Sequence, residues 1–181
     1  MSTLLLKIKG IFETAQRSHA NHENGVRELH DLFVEATASD RGDEFTSVFV
    51  LMVNHVLVQF NREPCIERCV EFIVNFCTNS TVSNGSSAHG LLFDFLVRHL
   101  LTTSAAQSKA VRFRSCQLIS KLLNTLDDGA EVDVKLWADV QSKMLIRIAD
   151  KIPAVRAQAI MSLARLQVGL YKSSCMRYNQ N

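Results

Sequence analysis

Residues 110–123 (AVRFRSCQLISKLL) and 154–167 (AVRAQAIMSLARLQ) open with the same three residues, Ala-Val-Arg, 44 positions apart. No other feature restricts the fold of the chain as much. Each copy continues with apolar residues at the spacing of a helix face. These are Val111, Leu118, Ile119, Leu122 and Leu123 in the first, and Val155, Ala159, Ile160, Leu163 and Leu166 in the second. A period of this length points to arrays of helix pairs. One pair cannot bury its own apolar face, so neighbours stack, and the result is a binding surface more often than an active site.

The periodicity predicts eight helices in four pairs, at about 3–18, 26–38, 44–59, 64–77, 89–101, 105–126, 132–148 and 153–168. Only two prolines and seven glycines interrupt them. Asn21 to Gly25 reads as a break, Asp43 as an N-cap, and Pro64 and Pro153 as first-turn prolines. Residues 78–88 (TNSTVSNGSSA) are the clearest loop, because small polar residues and glycine bury too little apolar area. Val26-Arg27, Ile66-Glu67, Val111-Arg112 and Val155-Arg156 then stand in register at intervals of 40, 45 and 44. The expected fold is all-α, an α-solenoid of four helix pairs over residues 1–168, of the HEAT or armadillo kind. A compact bundle of the same helices is the alternative, and the period counts against it. Residues 169–181 carry no comparable stripe and are expected to form a divergent, poorly ordered tail.

Hydrophobic residues make up 47% of the 181 and charged residues 21%, a balance that supports a folded core and excludes a disordered chain. The longest uncharged apolar run, 45–60, has 16 residues with Asn54, His55 and Gln59 inside it. That is short of the ~20 a membrane span needs, so a buried helix is expected. The five cysteines form no Cys-x-x-Cys, and no secretory signal precedes them, so a reducing compartment is expected.

Motifs of catalysis are not found: no Gly-rich phosphate loop, no Gly-x-Ser-x-Gly, no His-Glu-x-x-His. No catalytic residue, cofactor, metal or small-molecule substrate is therefore expected. His19 and His22 are too isolated a pair to suggest a metal site. Cys65 and Cys69, one turn apart, read as small buried residues.

Net charge is only +2, yet every charged residue after Asp150 is basic. A second acid-free window, 95–126, carries Arg98, Lys109, Arg112, Arg114 and Lys121. Basic patches of this kind attract phosphate backbones, although each could equally be a solvated helix face. Asp150 and Arg156 flank the turn into the last helix and read as a structural pair. The earlier copy has Ala106 where the later has Asp150, so Arg112 is expected to lack that partner and face a ligand. The candidate phosphate contacts are Lys109, Arg112, Arg114 and Lys121, followed by Lys143, Arg147, Lys151 and Arg165.

The segments 110–124 and 152–167, with Phe113-Arg114 and the run Cys116-Gln117-Leu118-Ile119, resemble the amino-terminal HEAT region of the condensin subunit 3 family. A weaker likeness extends back to the first residues. The resemblance implies a non-catalytic subunit that binds the kleisin of the complex and, with it, holds duplex DNA. ATP hydrolysis would then belong to the SMC subunits. It also implies residence in the nucleus and on chromosomes, with the cytoplasm as the alternative in interphase. After Gln167 the text departs from the family pattern, which reads as a truncated array. Two other readings stay open: a protein-only HEAT or armadillo adaptor, and a short product that does not assemble.

Overall fold

Proline at the head of a helix fixes φ near its helical value and removes an amide that would have no partner there. Two helices begin this way, at Pro64 and Pro153. A computed structural model describes residues 2–78, 87–126 and 133–178, with side chains at 2–78, 90–126 and 133–167. Among these residues there are eight α-helices and no strand. They are α1 Thr3–Ala15, α2 His22–Ala38, α3 Gly42–Leu57, α4 Pro64–Thr78, α5 Ser87–Thr103, α6 Lys109–Thr125, α7 Val134–Arg147 and α8 Pro153–Tyr178. A 3-10 turn, His19–Asn21, leads from α1 into α2. The all-α class expected from the repeat is the one observed. No helix among the described residues is long and apolar enough to cross a membrane.

Several helix boundaries differ from expectation, four of them in ways that bear on packing or on the turns. α2 begins at His22, not 26, with Gly25 inside it. That glycine is there for close approach: a Cβ on it would sit 3.0 Å from the Phe72 ring. α3 begins at Gly42, which puts Asp43 in its first turn and not at the N-cap. The reversal before it uses Asp40 in the left-handed region (φ 56°), with the Arg41 amide donating to the Ala36 carbonyl at 2.7 Å, a common way to close a helix. α6 begins at Lys109, not 105, because 104–108 form a turn. The α8 backbone continues to Tyr178, ten residues past the expected end at 168. Most of the predicted loop, residues 79–86, and the Asp127-Asp128-Gly129 turn lie outside the described residues.

The chain divides into two compact units, Met1–Leu96 and Val97–Asn181. In the first, α1 and α2 pair and pack on α3 and α4. The core is aromatic. Phe72 meets Phe12 edge-on at 5.2 Å, Phe76 meets Phe49 at 5.2 Å, and Phe33 meets Phe45 at 5.1 Å. The last carbonyls of α1, orphaned by the helix geometry, are taken by side chains. Asn21 donates to Thr14, Arg68 donates to Gln16, and the His22 ring bonds Ala15. Of the two histidines that spacing alone could suggest as ligands, His22 therefore serves a helix end, and the His19 ring stands 3.3 Å from the Glu71 carboxylate. Burial lowers the pKa of His22, outweighing its carbonyl partner.

In the second unit, α6 is buried on almost every side, from Phe113 through Ser120 without interruption, and its main partner is α8. α7 starts at Asp133, whose side chain accepts from the Lys135 amide at 3.1 Å, and it packs along α8. Thr103 and Ser115 share a hydrogen bond of 2.8 Å that ties the end of α5 to α6. Burial pushes the Cys116 thiol up to about 12, and in the first unit the Cys69 thiol up to about 11. Neither is a nucleophile at neutral pH.

Candidate functional site

The turn between α7 and α8 concentrates the charge of the second unit. Asp150 closes α7 and precedes Pro153, so its carboxylate lies beside the amides that open α8 and accepts from Ile152 at 3.0 Å. Arg112, near the start of α6, grips the same carboxylate with both edges of its fork. Nε reaches Oδ2 at 2.8 Å and Nη2 reaches Oδ1 at 3.3 Å. Arg147 adds a third contact from α7 at 3.2 Å. The Asp150 side chain is only 3% exposed, against 15% for Arg112 and 20% for Arg147. Burial alone would raise the pKa of Asp150. The hydrogen bonds from Arg112 and the Ile152 amide, with the charges of Arg112 and Arg147, outweigh it and hold the carboxyl below its ordinary value.

The expectation for Arg112 is thereby corrected. It does not lack a partner, because the partner lies 38 residues ahead, in the next repeat. Its remaining nitrogen, Nη1, donates to the carbonyls of Ala106 and Gln107 at 3.0 and 2.8 Å. Arg156 makes the equivalent contacts in its own repeat, with Nη1 donating to the Asp150 and Lys151 carbonyls at 3.0 and 3.4 Å. Asp150 and Arg156 are thus joined through the main chain, and the carboxylate itself goes to Arg112 and Arg147. Buried charges require such partners.

Two further predicted contacts are drawn inward. Arg114 is fully buried, with Nη1 donating to Gln117 at 2.7 Å and its guanidinium 5.2 Å from the Phe113 ring centre. Arg114 and Lys121, seven residues apart, project on nearly one side of α6, but that helix has almost no exposed side to offer. Arg165 donates to the carbonyls of Leu123 and Leu126 at 3.2 and 2.9 Å, capping the end of α6. The arginines of the predicted set are therefore occupied by the fold: Arg112, Arg114, Arg147 and Arg165. The lysines lie further out. Lys109, Lys143 and Lys151 are exposed and Lys121 is half-buried. Arg98, part of the second basic window but not among the candidate contacts, links α5 to α7 through Asp133 and Asp139 at 3.2 and 3.4 Å. Among the described residues, no group of three or more His, Cys, Asp or Glu could hold a metal ion.

Stacked helix pairs, with an arginine of one repeat locked to the inter-helix aspartate of the next, define an all-α helical-repeat protein. No protein-family model matches the chain. It is 38% identical over 167 residues to human condensin complex subunit 3 and 36% identical over 171 residues to that of Xenopus laevis. Each match covers 90% of this chain and 16% of the relative. The counterpart in Saccharomyces cerevisiae is 26% identical over 170 residues. A chain in the crystal structure of the S. pombe condensin Cnd3-Cnd2 subcomplex superposes with a TM-score of 0.69 at 24% identity, covering 88% of this chain and 19% of that one. Over nine-tenths of its length the chain is similar to condensin complex subunit 3, and it spans about a sixth of the length of the curated relatives it matches.

Proposed function

We propose that this chain works as a non-catalytic HEAT-repeat component of condensin, binding the kleisin subunit and duplex DNA in support of chromosome condensation. The observation that carries the reading is the identity of 36–38% to condensin complex subunit 3 over nine-tenths of the chain. The solved relative is a Cnd3-Cnd2 subcomplex, which supports a partner of the same kind here. ATP hydrolysis falls to SMC partners, and the site of action is the chromosome.

For DNA, the reading rests on the exposed lysines. An exposed ammonium neutralises a phosphate without reading bases, and its counterions are released on binding. Lys143 and Lys151 are exposed, and Lys109 opens α6 at the surface. These, with Lys121, are the phosphate contacts we retain. Arg112, Arg114, Arg147 and Arg165 act through the fold.

Lys143→Glu combined with Lys151→Glu is expected to weaken duplex binding equally for all sequences and to flatten the dependence of log affinity on log salt by about two. A salt titration of affinity for a random-sequence duplex checks this. Unchanged affinity and slope would remove DNA from the proposal. Capture from mitotic nuclear extract tests the rest: recovery of a kleisin with SMC proteins supports it, and recovery of other partners alone would favour a protein-only adaptor.

A further inference from the structure

Beside the start of α3, the first unit leaves an apolar groove open. Phe33 of α2 and Leu92 of α5 are its buried floor, and Leu91 and Phe95 stand along it, 69% and 50% exposed. All four belong to the unit Met1–Leu96. The groove holds about 420 Å³, within the roughly 300–1,000 Å³ of clefts that receive one compact ligand. It therefore takes a few side chains of a partner and not a folded domain. Leu91 and Phe95 are four residues apart on one helix, about 6 Å along its axis. Alternate side chains of an extended segment share a face at a spacing of about 6.7 Å. Two apolar residues of such a segment can therefore meet both.

The rim sets the charge of that segment. Among the described residues that line the groove, Asp43 alone is charged, and it is exposed. The hydroxyls nearby do not compensate for it. Thr37 donates to the Phe33 carbonyl at 2.8 Å and Thr46 to the Gly42 carbonyl at 3.0 Å, so both are turned to their own helices. The basic residue of the same turn, Arg41, is matched by Glu44 at 2.8 Å. The positive end of α3 is offset by Asp43 and Glu44 in its first turn. An acidic partner would meet the Asp43 carboxylate unopposed, whereas a lysine or arginine would complement it.

We propose that this groove docks a short extended segment of another protein, one that carries two large apolar residues two positions apart beside a lysine or arginine. The apolar pair supplies the affinity by covering Leu91 and Phe95, and the cation supplies the selectivity through Asp43. The inference does not depend on DNA or kleisin binding.

The test titrates three labelled synthetic peptides into the full chain, followed by fluorescence anisotropy. Each carries leucine and phenylalanine two positions apart, flanked by arginine in the first, serine in the second and glutamate in the third. Saturable binding of the arginine peptide is expected, about threefold tighter than the serine peptide, the size of an exposed ion pair, with the glutamate peptide weakest. Leu91→Ser weakens the arginine peptide at least about tenfold, as loss of a central apolar contact does. Its side chain is mostly exposed, so the helical melt stays unchanged. Asp43→Asn removes the difference between the arginine and serine peptides while the serine peptide binds as before. No saturation by the arginine peptide up to about 1 mM would overturn the proposal. So would binding indifferent to both Leu91→Ser and Phe95→Ser, or a glutamate peptide that binds as tightly as the arginine one. Self-association of the chain alone, lost on Leu91→Ser, would make a second copy the occupant and would overturn it too.

Discussion

In the unit Met1–Leu96 the helices meet through phenylalanine; in the unit Val97–Asn181 they meet through aliphatic side chains and a set of arginine contacts. Nine of the ten phenylalanines lie before residue 97, and Phe12, Phe33, Phe45, Phe49, Phe72 and Phe76 pack ring on ring there. Beyond it, Arg112, Arg147, Arg156 and Arg165 each donate to a carboxylate or a helix-end carbonyl. Both units must satisfy the carbonyls left open where a helix stops. The first does so largely with neutral groups, Asn21 and His22, together with Arg68. The second uses the hydroxyls of Thr103 and Ser104 at the end of α5 and arginines at the later helix ends, where Arg112 and Arg165 link one repeat to the next. Both units are thus held by apolar burial, and the second adds a part-buried ionic cluster on Asp150 that joins its repeats. Only the second should respond sharply to loss of a carboxylate.

The largest effect that sharpens this contrast is expected from Phe76→Ala, which empties a site with no exposure between Phe45 and Phe49. A loss of about 4 kcal/mol is expected from the cavity. Denaturant titration followed by circular dichroism would show it, with the emission of Trp137, the only tryptophan, reporting the second unit separately. The next largest is Asp150→Asn, which leaves two part-buried arginines without their counter-charge at a cost of about 3 kcal/mol. It also carries a pH signature. The folded pKa of Asp150 is depressed, so its stabilisation is complete above the ordinary carboxylate value of 3.8 and is lost as pH falls through the lowered one. Trp137-detected melts from pH 7 to pH 3 should therefore fall for the native chain and flatten in the variant.

The repeat made the class and the pairing of helices legible, because apolar spacing and the Ala-Val-Arg headings are local signals. The division at residue 96 left no such mark, since both halves share one periodicity. Among the candidate contacts, the lysines other than Lys121 are exposed as a charge pattern suggests, while the roles of the arginines were not legible. Sequence distance hid the Arg112–Asp150 pair: the partner was sought six residues away, inside one repeat, and stands 38 away across the stack. Gly25 misled for a related reason. A glycine in a polar run reads as a turn, yet here it lets α2 approach Phe72.

The central claim is that arginine in the second unit joins repeats and is not held in reserve for a ligand. A double-mutant cycle on Arg112→Ala and Asp150→Ala, read as unfolding free energy from Trp137 emission, tests it most directly. The ionic cluster requires a coupling of about 2 kcal/mol between the two changes, at the upper end of what residues in contact show. A coupling near zero would mean that Arg112 and Asp150 act independently, and would return Arg112 to the surface available for binding.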